Sequence, residues 1–172
     1  MPAPNKDLGP CSVLWDPSGD NLELNPTFGG VKFKDELTHV EVKEDGHGEA
    51  AVDAVPTGRK VELTVPMTRS SLAQLEKAIK GSVAGASNLR VSNLVGGAVF
   101  ANAKEIIVKP LVDNVPSATT SEWLHIHRVY PFDALEWTYD NAGQRVTNVV
   151  FKAFPDDKTG RVGEMWRMGP SG

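Results

Sequence analysis

Arg59-Lys60-Val61-Glu62-Leu63-Thr64-Val65-Pro66 alternates polar and apolar side chains without a break. Successive side chains of a strand point to opposite faces, so Val61, Leu63 and Val65 are expected on a buried face and Lys60, Glu62 and Thr64 on an exposed one. Pro66, with no amide hydrogen to give, should end the strand or lie on an edge. Period two recurs along most of the chain and limits it to a strand-rich fold.

Further strands are expected over 11–15, 30–34, 37–44, 104–111, 122–130, 134–140, 145–155 and 163–168, with a weak one in 89–95 between glycine-rich connections. Asp16-Pro17-Ser18-Gly19 reads as a turn, and Asp140-Asn141-Ala142-Gly143 as a hairpin signal. Residues 44–58, glycine-rich, acidic and poorly periodic, read as a long mobile loop. One helix stands out in 70–81. Ser71 with Gln74 three residues on fits a capping box, Leu72, Leu75 and Ile79 form an apolar face, and Gly81 suits a left-handed position past the end. So short a helix must be held by packing.

At 172 residues the chain is long enough for one domain with its own core, 1–172, with short flexible termini. About eight strands and one helix make it mainly β: a β-sandwich or barrel flanked by an α-helix. Cys11 is the only cysteine, which excludes intrachain disulfides, four-cysteine zinc sites and CxxC redox motifs. A formal charge of -4 is the wrong sign for gripping nucleic acid along an outer surface. The opening residues lack the apolar core of a signal peptide, and nowhere do 18 apolar residues run together, so a soluble protein without a membrane partner is expected.

No motif for chemistry emerges. Gly58-Arg59-Lys60 precedes a strand rather than a helix and lacks the second glycine of a phosphate loop. There is no G-x-S-x-G elbow. His125 and His127 form an H-x-H pair on one strand face, and His39 with Glu41 lies on another strand, the raw material of a three-histidine metal site in a cupin-like barrel enzyme. Trp123 and Val129 share the face of the histidine pair, which favours packed histidines. Asp156-Asp157 reads as a solvated turn, and Trp123, Trp137, Trp166 and Tyr139 as core aromatics. Neither a cofactor, a metal site nor a catalytic set is therefore assigned.

Two stretches together resemble the tail tube (major tail) proteins of long-tailed bacteriophages. The first runs from the extended loop through Ala51-Val52-Asp53-Ala54-Val55 and Thr57-Gly58 into the alternating strand and the helix. The second is C-terminal: a strand leading to Pro131, another ending in Tyr139-Asp140, then Val149-Val150-Phe151-Lys152-Ala153-Phe154-Pro155-Asp156 and a closing strand ending at Met168-Gly169. The likeness spans about 11–169. In the first hairpin, Leu22–Phe33 keeps paired glycines but lacks one expected nearer Leu24.

The resemblance implies a β-sandwich or barrel of the phage tail tube type in a structural virion protein without enzymatic activity. It implies hexameric rings stacked into a hollow tail tube, assembled in the host cytoplasm, through which genome DNA passes without specific binding. Tape measure, tail terminator and distal tail proteins would be its partners. On this reading Asp45, His47, Glu49, Asp53, Arg59 and Lys60 are candidates for ring or stacking contacts, the loop ordering as the next ring docks. Glu41 and Glu62 are candidates for a negative lumen that repels phosphates. Another β-rich tail or baseplate component, or a secretion-system tube, is the nearest alternative.

Overall fold

The computed structural model describes residues 10–24, 30–43, 45–47, 49–67, 71–93, 95–97, 99–132 and 147–170. The expected strand 134–140, with Trp137 and Tyr139, and the hairpin signal at 140–143 lie outside these residues.

The chain forms strands β1 (Cys11–Trp15), β2 (Leu22–Glu23), β3 (Lys32–Lys43), β4 (Ala51–Met67), β5 (Ser82–Ala84), β6 (Leu89–Val91), β7 (Lys104–Val112), β8 (Val115–Pro116), β9 (Leu124–Pro131), β10 (Thr147–Ala153) and β11 (Trp166–Met168), and helix α1 (Leu72–Ala78). The main sheet is antiparallel in the order β2-β1-β7-β9-β10-β4-β3, with β8 on β7 and β11 on β9. β5 and β6 form a separate hairpin. The fold is mainly β with one helix, but the sheet does not close, so the barrel alternative is set aside.

The alternation of 59–66 holds: Val61, Leu63 and Val65 are buried and Lys60, Glu62 and Thr64 lie on the other face. Val65 pairs with Val149 and Leu63 with Phe151, placing these four side chains on one core face with Val13, Trp15, Ile106, Ile126 and Val129. β4 continues through Pro66 to Met67; β3 stops pairing at Thr64, so only β10 flanks Pro66. The sheet coils strongly. The Trp15 and Phe151 rings lie 5.5 Å apart although β7 and β9 separate their strands, a span of about 14 Å in a flat sheet. Phe33 of β3 likewise meets Trp166 of β11 at 5.3 Å, and the Trp166 indole donates to Asp35 at 3.0 Å.

The capping box forms as expected. The Ser71 hydroxyl accepts from the Gln74 amide and the Gln74 side chain accepts from the Ser71 amide. Gln74 also donates to the Glu23 carbonyl, tying α1 to β2, while Ala78 and Ile79 pack against the core and Leu75 is buried. The helix ends at Ala78 with Ile79 as an extended C-cap, earlier than expected, and Gly81 at a φ of 75° turns the chain into β5 rather than capping the helix.

Four expectations change. The strands expected over 30–34 and 37–44 merge into one, β3 (Lys32–Lys43). The loop expected over 44–58 is largely β4, which begins at Ala51, because the cross-strand ladder with β3 supplies the order that periodicity does not show. The weak strand in 89–95 shrinks to Leu89–Val91. Asp113 and Asn114, both at positive φ between the paired Val112 and Val115, make a two-residue hairpin turn that the apolar pattern conceals.

Phe151→Ala should lower unfolding stability by about 3–5 kcal/mol, because its ring fills the centre of the core. Ser71→Ala should cost about 1 kcal/mol. Urea denaturation followed by tryptophan fluorescence measures both.

Candidate assembly surface and a buried histidine cluster

β3 and β4 extend beyond the body as an arm. Every residue of β4 from 51 to 60 is exposed, which at roughly 3.3 Å per residue is a reach of about 33 Å. Opposite them β3 is exposed throughout except for half-buried Thr38. Register shifts fall between Thr38 and His39 and between Val42 and Lys43, each opposing an additional β4 residue. At the first, Thr38 donates to the Gly58 carbonyl at 3.0 Å, and a Cβ on Gly58 would lie 3.1 Å from the Thr38 hydroxyl. Such bulges twist a ribbon and re-aim its side chains. Past this one Val40 pairs with Val55, and both are more than half exposed. Val42, Val52 and Leu37 are exposed on the same arm. The outer edge of β3 carries no partner strand among the described residues. A hairpin with exposed valines and an open edge is the feature that other chains can cover.

The residues expected at ring contacts gather on this arm. Asp45 and His47 belong to the 3-10 turn Asp45–His47, and Glu49 is exposed just after it. Asp53 accepts from the Ala54 amide. Arg59 is less free than expected: its Nε lies 3.4 Å from Asp35 within the same hairpin. Lys60 faces Glu36 across the ladder. Of the lumen candidates, Glu41 is exposed with Lys43 4.0 Å away, and Glu62 is half-buried with Lys152 at 3.9 Å. Lys34, Glu36, Lys60, Glu62 and Lys152 alternate in sign on one face, so the face around Glu62 is balanced rather than strongly negative.

The histidine pair lies elsewhere. His125 and His127 are buried on the sheet face opposite the core, and a bulge after Ile126 inserts one β9 residue, which returns Val129 to the core. Val129 therefore does not share the histidines' face. His125 Nδ1 lies 3.1 Å from Glu105 Oε1, and its Nε2 is buried without a partner. His127 Nε2 lies 3.2 Å from Glu164 Oε1, and its Nδ1 lies 3.1 Å from Arg161 Nη1 and 3.7 Å from Glu105 Oε1. Arg167 clamps Glu164 with two hydrogen bonds of 2.7 and 2.8 Å, which with His127 brings its carboxyl down to about 2. Burial of Glu105 opposes its charge, but the His127 and His125 imidazoles facing it more than offset that and lower its pKa. His39 is on β3, with β4 and β10 between it and β9, and no group of three or more His, Cys, Asp or Glu among the described residues could hold a metal ion.

Asp156 corrects another expectation. It is buried rather than solvated, accepting from Arg128 at 3.0 Å and from the Asp157 and Lys158 amides, with Arg161 Nε 3.2 Å away as an ion pair outside hydrogen-bond alignment. Burial raises its pKa and these partners outweigh it, so the shift is downward. Only Asp157 is on the surface, paired with Arg128. Trp123 is likewise not a core residue: it carries Lys109 over its ring at 3.9 Å and donates to the Ser117 carbonyl. Trp166 does pack against the core. A cleft of about 380 Å³ between α1, β5 and β7 is lined by Lys77 and Lys104, which are already paired with Asp20 and Asp16. Among the described residues no helix is long and apolar enough to cross a membrane.

In comparisons with known proteins, no family model and no curated protein matches the chain.

Glu164, Glu105 and Asp156 all have carboxyls depressed in the folded state, so their contribution is present above the unfolded range near pH 4 and is lost as pH falls through the folded values. Stability should therefore drop between about pH 4.5 and 2. In Glu164→Gln that drop should be shallower. Urea midpoints at a series of pH values measure it, and equal slopes in both proteins would contradict it.

Proposed function

We propose that this chain is a self-assembling structural subunit of the phage tail tube type, whose copies close into rings and stack into a hollow virion tube that DNA traverses. The observation that carries the reading is the β3–β4 arm. An isolated two-stranded hairpin is marginal in water, and one that exposes Val40, Val42, Val52 and Val55 is poorly explained as a free surface. Packed against another subunit, the same valines become an interface core, and the open edge of β3 gains a strand partner.

The mainly β fold, the single helix after β4 and the C-terminal series of strands agree with the resemblance in the sequence. Asp45, His47, Glu49 and Asp53, at or near the arm's tip, are the proposed stacking contacts, and Lys60 is the proposed cation for a neighbouring subunit. Arg59 serves the base of the arm through Asp35 and is a weaker interface candidate. Hexameric rings, the virion tail as location, and tape measure, terminator and distal tail proteins as partners belong to this proposal. Lumen repulsion of DNA would rest on the net charge of -4 more than on Glu41 or Glu62, each of which has a lysine within 4.0 Å.

Electron microscopy of concentrated protein should reveal sixfold rings or hollow tubes. Val40→Asp with Val55→Asp should abolish them while leaving the thermal midpoint within a few degrees, since neither side chain enters the core. Tubes formed as readily by the double variant would remove the arm from the assembly. Closed objects of another symmetry, or a globular species that binds a metal ion, would overturn the proposal.

A further inference from the structure

His127 is enclosed by charged groups from every element packed against it. Glu105 comes from β7, Arg161 and Glu164 from the segment before β11, and Arg167 from β11 through Glu164. His125 shares Glu105 from the same strand. A cavity of about 340 Å³ beside the imidazole is lined by Asp16, Lys104, Glu105, Arg128 and Lys158 as well. The side chain of His127 has no exposed surface.

The two ring nitrogens meet groups of opposite character. Arginine keeps its protons and can only donate, so Nδ1, 3.1 Å from Arg161 Nη1, must be the acceptor. Glu164 is ionised and can only accept, so Nε2 must carry the hydrogen. These partners specify a neutral imidazole of one tautomer. A second proton would have to enter at Nδ1, where the guanidinium now donates. Glu105 Oε1, 3.7 Å from the same atom, is the acceptor waiting there.

We propose that His127 is an acid-operated exchange point: on protonation its Nδ1 gives up Arg161 and donates to Glu105, so the imidazolium bridges Glu105 and Glu164 while Arg161 and the turn around it are released. The proton comes from solvent, and no bond other than hydrogen bonds changes. Among the described residues Arg161 then keeps the non-aligned Asp156 Oδ2 at 3.2 Å. Backbone bonds also hold the turn: the Asp156 amide donates to the Glu164 carbonyl, and the His127 amide to Met165. The Arg161 amide donates to the Lys158 carbonyl, the Glu164 amide to Arg161 and the Gly163 amide to Asp156. The partners of Glu105 and Glu164 hold both carboxylates ionised well into acid, so they remain acceptors when the imidazole gains its proton. The exchange frees the Arg161 guanidinium and ties β7, through Glu105 and His127, to Glu164 in the segment before β11. This device is independent of the tube reading and stands or falls without it.

The test uses the full chain labelled with nitrogen-15. At pH 8 the imidazole spectrum should place the hydrogen of His127 on Nε2, with both nitrogens protonated by pH 5. Over the same interval hydrogen exchange at the Arg161, Gly163 and Glu164 amides, corrected for intrinsic rates, should quicken by about tenfold, while the Val149 and Phe151 amides stay protected. His127→Gln keeps a donor for Glu164 and an acceptor for Arg161 but cannot charge, so its turn should exchange equally at both pH values. A hydrogen on Nδ1 at pH 8 would overturn the proposal, as would turn protection that does not change with pH in the natural protein. The tautomer is read on the natural chain and needs no variant to fold.

Discussion

One strand carries both halves of this molecule. From Val61 to Met67 β4 lies between its neighbours with Val61, Leu63 and Val65 under the sheet, and from Ala51 to Lys60 the same strand leaves the body with no side chain buried. The backbone does not break at the boundary, so the arm is continuous with the strand that pairs Leu63 with Phe151 in the core. Asp35 fixes the root of the arm, taking the Trp166 indole hydrogen and facing Arg59. The bulge at Thr38 and Gly58 is where the arm re-aims, and beyond it the paired valines emerge. Held at its base by Asp35 and exposing valines beyond the bulge, the arm is the feature on which the proposed assembly rests.

β9 plays the corresponding part on the other side of the core. Its bulge lets Ile126 and Val129 both reach the core while His125 and His127 stay on the opposite face. That face buries charge instead of oil. There Glu105 meets His125 and His127, Glu164 meets His127 and Arg167, and Asp156 meets Arg128 and Arg161, and each depressed carboxyl marks partners that favour the ionised form. Burying charge is tolerable only when nearly every lone pair and hydrogen is used. Arg161 facing Nδ1 and Glu105 beyond it show how close two alternative sets of partners can lie.

The half-buried strand at 59–66 and the capped helix at Ser71 were legible because each rests on local periodicity or on side chains three residues apart. The strand character of 51–58 was not, since its order comes from pairing with β3 and its side chains bury nothing. The loop expected over 44–58 from its glycines and poor periodicity therefore gives way to strand from Ala51 on. His125 and His127 could be found as a pair, but Glu105, Arg161 and Glu164 could not: residues 20 to 37 positions away become neighbours only through the sheet. Asp156 looked like a surface acid because its buried partners, Arg128 and Arg161, carry no pattern that links them to it. Trp123 was assigned to the core on spacing that the β9 bulge rephases.

The sequence by itself determined a mainly β chain with one capped helix, and which side chains of each regular strand are apolar, because these follow from alternation and short-range bonding. Tertiary structure alone decided that the sheet coils without closing, that residues 51–60 become an arm, and that two histidines share a face with two glutamates and two arginines. Each depends on strand order, register and bulges. These are set by contacts between distant segments, where a shift of a single residue exchanges the buried face for the exposed one.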